Sequence, residues 1–485
     1  MLGLIKNKVL KDIIWSFVQR GGSLMISFLA NIILARLLSP NDFGCIGIIL
    51  VFVSIANVLV DSGLGSSLIH KRDVTQDDIS TIFTSNFIIS VCIFTLLYIS
   101  APAIATHFNI PELSLYLRIE SVAIIIRAFY VVQSAMISKE LKFKDNTKIN
   151  IAAATAGALV GIIMAYMGFG VWSLIAKNIT HQFVLCLLYR IISKTPSKFG
   201  FNKTSFKQLF GYGWFVALTS FLDLAHSNLA SFIIGNRYSV KDLGYYNQAS
   251  SLQQIPTYSL SMVIAHVLFP YMSKINNNMD MVNNYAKRVF PISAFVIMPL
   301  MVFLIFFAKP IITIIYSAKW LSSTIYFQLL CFEGLFNAFI HINRNILKSI
   351  GETKILFKLQ LIIVTLGIVL IVITSHYNIF IMISSIIITS FINWMLVSTI
   401  VGSKIGFSII KQVNDIIPSL IISLIVGSIS YLIYNYIELH LIVSFTISTI
   451  LFFALYFGIH YIFKTKSFKM VSEIVFPNRN INIYE

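Results

Sequence analysis

Ser39-Pro40-Asn41-Asp42-Phe43-Gly44 and, two hundred residues later, Ser239-Val240-Lys241-Asp242-Leu243-Gly244 carry Ser, Asp and Gly at the same three places. Both hexapeptides stand between long apolar stretches. In both, a Ser or Asp is placed to cap the helix that follows, with the Gly expected at a tight turn. Around them the chain of 485 residues is 57% hydrophobic and only 11% charged, where a soluble chain carries about 25% charged residues. Its mean hydropathy is +0.84. This is the composition of a polytopic membrane protein, and the repeated turn marks an internal duplication of its helices.

A membrane span needs about 20 mostly apolar residues. Segments of that kind are read near 13–38, 44–69, 79–101, 113–137, 149–167 and 170–193, then near 209–234, 243–269, 288–308, 322–349, 355–375, 378–401, 416–436 and 440–463, fourteen in all. Six spans separate the two turns, so the repeats share one orientation and are related by an axis along the membrane normal. The expected architecture is all-α: a six-helix lobe over 1–193, a basic linker at 194–208, a second six-helix lobe over 209–401, and two extra spans with a tail over 402–485. Phe199, Phe201 and Phe206 in the linker suit a short amphipathic segment at the inner interface. The first apolar stretch is too long for a signal-peptide core and is expected to stay in the mature chain.

Thirty-six Lys+Arg against nineteen Asp+Glu give a net charge of +17. With the N-terminus inside, 26 of those bases fall in the inner connections, whereas the outer ones hold only Arg36, Arg237, Lys241, Lys309 and Lys319. That bias places both termini in the cytoplasm. It makes the basic balance an insertion signal with some attraction to anionic inner-leaflet lipid, and nucleic acid is not needed to explain it. Cys45, Cys92, Cys186 and Cys331 sit in apolar stretches at no metal-ligand spacing, so no metal site or disulfide framework is expected. The chain has no Walker A, GxSxG or HExxH sequence. A transporter rather than an enzyme is expected, without cofactor, drawing energy from a gradient, a partner or the substrate.

Ionisable residues inside spans face a cavity or a partner because lipid exposure costs about 2.5–3.5 kcal/mol each. Their spacing of three or four residues shows common faces. The first span carries Ser16, Arg20, Ser23, Ser27 and Asn31; the second Ser54, Asn57, Asp61 and Gly65; the fourth Glu120, Arg127 and Ser134; the sixth Ser173, Lys177 and His181. The seventh carries Ser220, Asp223 and Ser227 with neighbouring His226, and the tenth Glu333, Asn337, His341 and Arg344. Arg118 faces away from its stripe and is expected to snorkel. Five bases against four acids make a slightly cationic cavity, which suits an anionic ligand, and Arg can hold phosphate oxygens in pairs. Arg20, Arg127, Lys177 and Arg344, with Gln19 and Asn31, are therefore the candidate substrate contacts. Asp61, Glu120, Asp223, Glu333, His226 and His341 are the candidates for charge balance or coupling. The alternative reading is that Arg20–Asp61 and similar pairs only lock helices together. In the eighth span Tyr245, Tyr246, Gln248, Gln253 and Gln254 are candidates for sugar contact.

Trp15 with Gln19-Arg20, then Leu34-Ala35-Arg36-Leu37-Leu38-Ser39-Pro40 and Asp42-Phe43-Gly44, resemble the N-terminal signature of Wzx-type polysaccharide flippases, nearest to the colanic acid and teichuronic acid exporter branch. Asp61-Ser62-Gly63-Leu64-Gly65, Ser67-Leu68-Ile69, Lys139-Glu140-Leu141-Lys142-Phe143-Lys144 and Gly168-Phe169-Gly170-Val171-Trp172 extend the likeness over about the first 210 residues. Ile69-His70 departs from it where a Gln is common. The resemblance implies the multidrug/oligosaccharidyl-lipid/polysaccharide (MOP) exporter fold, with two six-helix lobes in a V around a cavity, in the bacterial cytoplasmic (inner) membrane. It also implies alternating-access transfer of undecaprenyl-diphosphate-linked oligosaccharide units from the cytoplasmic to the outer leaflet, for O-antigen, capsule or exopolysaccharide synthesis. Membrane lipid is an expected partner, as are a polysaccharide polymerase and export proteins, and Na+ or H+ is open as a coupling ion. A MATE-like cation-coupled drug antiporter and a lipid-linked peptidoglycan precursor flippase stay open as alternatives. The antiporter calls for an acid-dominated cavity, and a membrane glycosyltransferase or polymerase calls for large outer loops.

Overall fold

The computed structural model describes residues 21–475, apart from positions 62, 194, 197, 276, 277 and 438. Among the described residues the chain is helical and has no strand. α1 covers Gly21–Leu37, and the first repeated turn leads into α2 (Pro40–Asp61) and α3 (Leu64–His70). α4 (Gln76–His107) precedes a broken segment made of α5 (Leu113–Glu120), α6 (Val122–Ala128) and α7 (Val131–Lys139). α8 (Phe143–Tyr166), α9 (Val171–Ile192) and α10 (Lys203–Arg237) follow. After the second turn come α11 (Val240–Ile275), α12 (Met279–Phe306), α13 (Ala308–Ile315), a 3-10 turn at Ala318–Trp320, α14 (Ser323–Ser349) and α15 (Thr353–Thr374). α16 (Ile379–Ile405), α17 (Ile409–Tyr436), α18 (Leu441–Ile462) and α19 (Lys466–Val475) complete the chain.

Each expected span falls on one of these helices or groups, but fourteen is not the number reached. Among the described residues eleven helices are long and apolar enough to cross a membrane, or twelve if the bent pair Leu113–Ala128 and Val131–Lys139 counts as one span. α1 is shorter than a span over its described length. α11 begins with a stretch rich in polar side chains, from Asn247 to Gln254, and the side chains of its apolar part, 258–271, lie outside the described ones, so the count does not include it.

The two repeated turns cap their helices in the same way. Ser39 donates from its backbone N and its Oγ to Asp42 Oδ2 (2.8 and 2.7 Å), and Asp42 N donates back to Ser39 Oγ at 3.3 Å. Ser239 Oγ donates to Asp242 Oδ2 at 2.6 Å and receives Asp242 N at 2.9 Å. This reciprocal cap satisfies amides that the first turn leaves open. The glycines have a different reason from the tight turn expected. Gly44 and Gly244 lie inside α2 and α11, and each lies against the backbone of the other copy. A methyl on Gly44 would overlap the Val240 carbonyl oxygen, and one on Gly244 would overlap that of Pro40.

Contacts divide the chain into two compact units, Met1–Gly244 and Tyr245–Glu485. The division falls within α11, and α10 packs along α2 and α3 of the first unit. There Ser67 Oγ donates to Leu209 O at 2.9 Å. Gly63, left-handed at φ +65, lies against the Gly213 backbone too closely for any side chain. The first unit's core joins Leu64, Leu68, Phe83, Val132 and Leu209, with a second cluster around Tyr130, Ile149, Ala153 and Tyr189. In the second unit Phe290 stacks on Phe339 (5.7 Å) and meets Phe407 edge-on (5.0 Å). α18 buries Ser444, Ser448, Phe452, Tyr456 and His460, one every four residues, while leaving Ile450 65% exposed. Serines and ring side chains inside with large aliphatic ones outside suit a lipid-facing helix, since lipid does not penalise apolar exposure.

Candidate functional site

Asp61 is the last residue of α2 and Arg127 lies one residue before the end of α6. Arg127 Nη2 donates to Asp61 Oδ2 at 2.7 Å and its Nε to Oδ1 at 3.3 Å, a paired contact that fixes the guanidinium plane. Asp61 thus pairs with Arg127. Arg20, the partner the sequence offered it, lies outside the described residues together with Gln19. Immediately after Arg127 the segment breaks, with a 43° bend between Ala128 and Val131. Tyr130 stands in that break, hydrogen-bonds Arg127 and donates from its hydroxyl to Gln182 Oε1 of α9 at 2.6 Å. Its ring stacks on Tyr189 (5.4 Å, 2°), whose hydroxyl is held by Asn146 and Asn150 of α8.

α9 brings Lys177, Asn178, His181 and Gln182 to this seam. It can do so because α8 presents Gly157 and Gly161, one turn apart. A side chain on Gly157 would begin 2.7 Å from Lys177 O, and one on Gly161 would begin 2.8 Å from Lys177 Cβ. This small-xxx-small spacing lets two membrane helices approach closely. Asn178 hydrogen-bonds buried Glu120 at the end of α5, and the second Glu120 oxygen has no partner among the described residues. The positive charges of Lys177 and Arg127 both reach His181. Asp61 balances Arg127, whereas no carboxylate or other acceptor engages the Lys177 ammonium among the described residues. Among the described residues the seam therefore holds one cation without an acid partner, beside hydrogen-bonding groups from α6, the break that follows it and α9. That arrangement can receive an anion. Tyr130, Asn178, Gln182 and the two glycines were missed in the sequence, although 177/178/181/182 and 157/161 both have helical spacing.

The motifs that carried the family likeness now have structural causes. Gly168 and Gly170 turn the chain from α8 to α9 at φ +83 and +54. Trp172 then meets Tyr116 edge-on at 5.0 Å. Lys139 Nζ caps the end of α3, donating to Leu68 O at 3.0 Å and also to Lys71 O. Leu141 supplies the left-handed residue of the following turn.

Other candidates lie apart from the seam's hydrogen bonds. Asn31 is half-buried on α1. On α10, Asp223 is exposed and acts electrostatically on His226, whose Nδ1 has no partner among the described residues. Arg118 lies over the Tyr98 ring (4.4 Å) and donates to Tyr98 O at 3.1 Å. In the second unit, Glu333 accepts from Asn337 and from Ser390 Oγ (3.1 Å). Arg344 donates to Gln360 Oε1 at 2.6 Å and acts on His341. Tyr245, Tyr246, Gln248 and Gln253 are buried in the second unit, where Gln253 donates to Thr257 Oγ1 at 3.0 Å. Only Gln254 of that group is exposed. The other four pack this helix within the second unit.

The fold is that of the MOP-type membrane transporters. It matches the lipid II flippase MurJ in an inward closed conformation with a TM-score of 0.73 at 19% identity, covering 94% of this chain and 98% of that one. The chain belongs to the polysaccharide biosynthesis protein family, whose pattern matches residues 33–325. Most of the motifs of the Wzx-type resemblance lie within that range. The teichuronic acid biosynthesis protein TuaB of Bacillus subtilis is 24% identical over 304 residues, 62% of this chain and 63% of its own length, so the match spans under two thirds of that relative. The lipopolysaccharide biosynthesis protein WzxC of Escherichia coli is 20% identical over 356 residues, 73% of this chain and 72% of its own.

Proposed function

We propose that this protein is a flippase that carries a polyprenyl-diphosphate-linked oligosaccharide from the cytoplasmic to the outer leaflet by alternating access. Family membership and the names of the relatives support a role in cell-surface polysaccharide synthesis, and the fold supports transport. The observation that carries the anionic substrate is the Lys177 ammonium, engaged by no carboxylate among the described residues and set beside a pair that is already neutral. In this reading Lys177 meets a diphosphate oxygen, and Tyr130, Gln182 and His181 order the first sugar. Arg20, Arg344, Gln19 and Asn31 remain proposed contacts. Glu333, held by Asn337 and Ser390, joins Asp61, Glu120 and Asp223 as a group through which Na+ or H+ could couple. An inside-negative potential favours outward movement of a dianion by about 4–5 kcal/mol at 100 mV. The basic connections support cytoplasmic termini.

The test uses cells lacking the gene. Complete lipid-linked repeat units should accumulate on the cytoplasmic side, as scored with an impermeant probe. Lys177→Ala should fail to clear them and Lys177→Arg should clear them. Unchanged lipid pools together with sensitivity to cationic drugs would replace this reading with the antiporter.

A further inference from the structure

α10 starts at Lys203, and its first six residues precede the apolar stretch read at 209–234. The chain therefore enters the membrane over the stretch from Lys203 to Trp214. Along one side of this stretch Phe206 stacks on Phe210 (5.1 Å) and Phe210 on Trp214 (5.8 Å), with Phe201 continuing the series at 5.4 Å from Phe206. Trp214 is 50% exposed and Phe201 59%. Such a ladder across the start of a span belongs at the headgroup level of a bilayer and just below it.

Beside the ladder opens a cleft of about 580 Å³ lined by Lys203, Thr204, Lys207 and Gln208. The two lysines are one helical turn apart, and neither forms an ion pair among the described residues. The nearby acids are already engaged. Asp78 pairs with Lys71 at 2.7 Å, and Asp77 accepts from Asn202 Nδ2 at 3.1 Å. Lys71 also donates to Gln208 Oε1 at 3.1 Å, which orients that amide and leaves its NH2 as a donor. Gly211, one turn beyond Lys207, has nothing among the described residues within 4 Å of where a side chain would begin, which leaves room between the cleft and the ladder.

We propose that this cleft binds the phosphate headgroup of an anionic glycerophospholipid, with an acyl chain lying along Phe206, Phe210 and Trp214. Two unpaired ammonium groups, a hydroxyl and an amide match a phosphodiester, and the aromatic row matches the chain attached to it. A soluble phosphate would use only the polar half. The site is separate from the Lys177 seam and stands whether or not the carried substrate is a lipid-linked sugar.

The full chain, reconstituted in discs of phosphatidylcholine, is titrated with phosphatidylglycerol brominated on its acyl chains, and separately with brominated phosphatidylcholine. Trp214 quenching is taken as the difference from Trp214→Phe. Brominated phosphatidylglycerol should quench at lower mole fraction, and high salt should weaken that preference. Each basic residue near an anionic surface contributes about fivefold, so Lys203→Gln with Lys207→Gln should reduce the preference about 25-fold. The double arginine variant should keep it. Equal quenching by both lipids, or a preference unchanged in the double glutamine variant, would overturn the proposal. Displacement of phosphatidylglycerol by equimolar polyprenyl diphosphate would also overturn it, reassigning the cleft to the substrate's diphosphate.

Discussion

Removing both partners of the Asp61–Arg127 contact should destabilise the first unit by less than the two single removals added together. Two unit charges about 4 Å apart attract by about 4 kcal/mol at an effective dielectric of about 20. The side chains are 28% (Arg127) and 40% (Asp61) exposed, so solvent screening and side-chain ordering leave a coupling of about 1–2 kcal/mol. Asp61→Asn keeps the shape but leaves Arg127 charged with Tyr130 as its main partner. Arg127→Gln leaves the carboxylate at the end of α2. Each should cost about 1.5–3 kcal/mol, the usual loss for hydrogen bonds to a charged group. The double variant, with neither charge present, should cost less than the sum of the singles by the coupling energy. The assay is reversible unfolding in mixed micelles for all four proteins. Export should follow stability, with the double variant losing less than the two single losses combined. If the costs add to within about 0.3–0.5 kcal/mol, the contact is not energetically coupled and does not lock the helices.

Gly161→Ala places a methyl 2.8 Å from Lys177 Cβ and 3.1 Å from Ser173 O. It should cost about 1–3 kcal/mol in unfolding and reduce export without changing any charge. Gly63→Ala combines a left-handed φ of +65 with overlap of the Gly213 backbone, for a loss of about 2–4 kcal/mol, seen as a lower yield of folded protein. Lys139→Met keeps the stem but removes the cap on α3, costing about 1–2 kcal/mol. Its signature is faster hydrogen exchange confined to Leu64–His70.

The spans were legible because lipid imposes long apolar helices on a chain, and the Ser-x-x-Asp caps were legible because capping is local. The break at Phe129–Tyr130 was not. No proline or glycine marks it, and Tyr130 is held there by Gln182 and Tyr189 from another helix. Spacing put Asp61 and Arg127 on polar faces but could not choose between Arg20 and Arg127 as partner, because a stripe gives a direction and not a neighbour. Gly44 was given a turn's role because a glycine after Ser-x-x-Asp looks local, whereas its cause lies at Val240. The lysine that the seam leaves uncompensated emerges only once every nearby acid has been assigned.

The contact between the two repeated turns is isologous: Gly44 faces the carbonyl of Val240, and Gly244 faces that of Pro40, its counterpart one repeat earlier. A contact of this kind is what a twofold homodimer makes with itself. Within this chain the contact obeys a rule of exchange, in which bulk gained on one turn must be matched by room in the other.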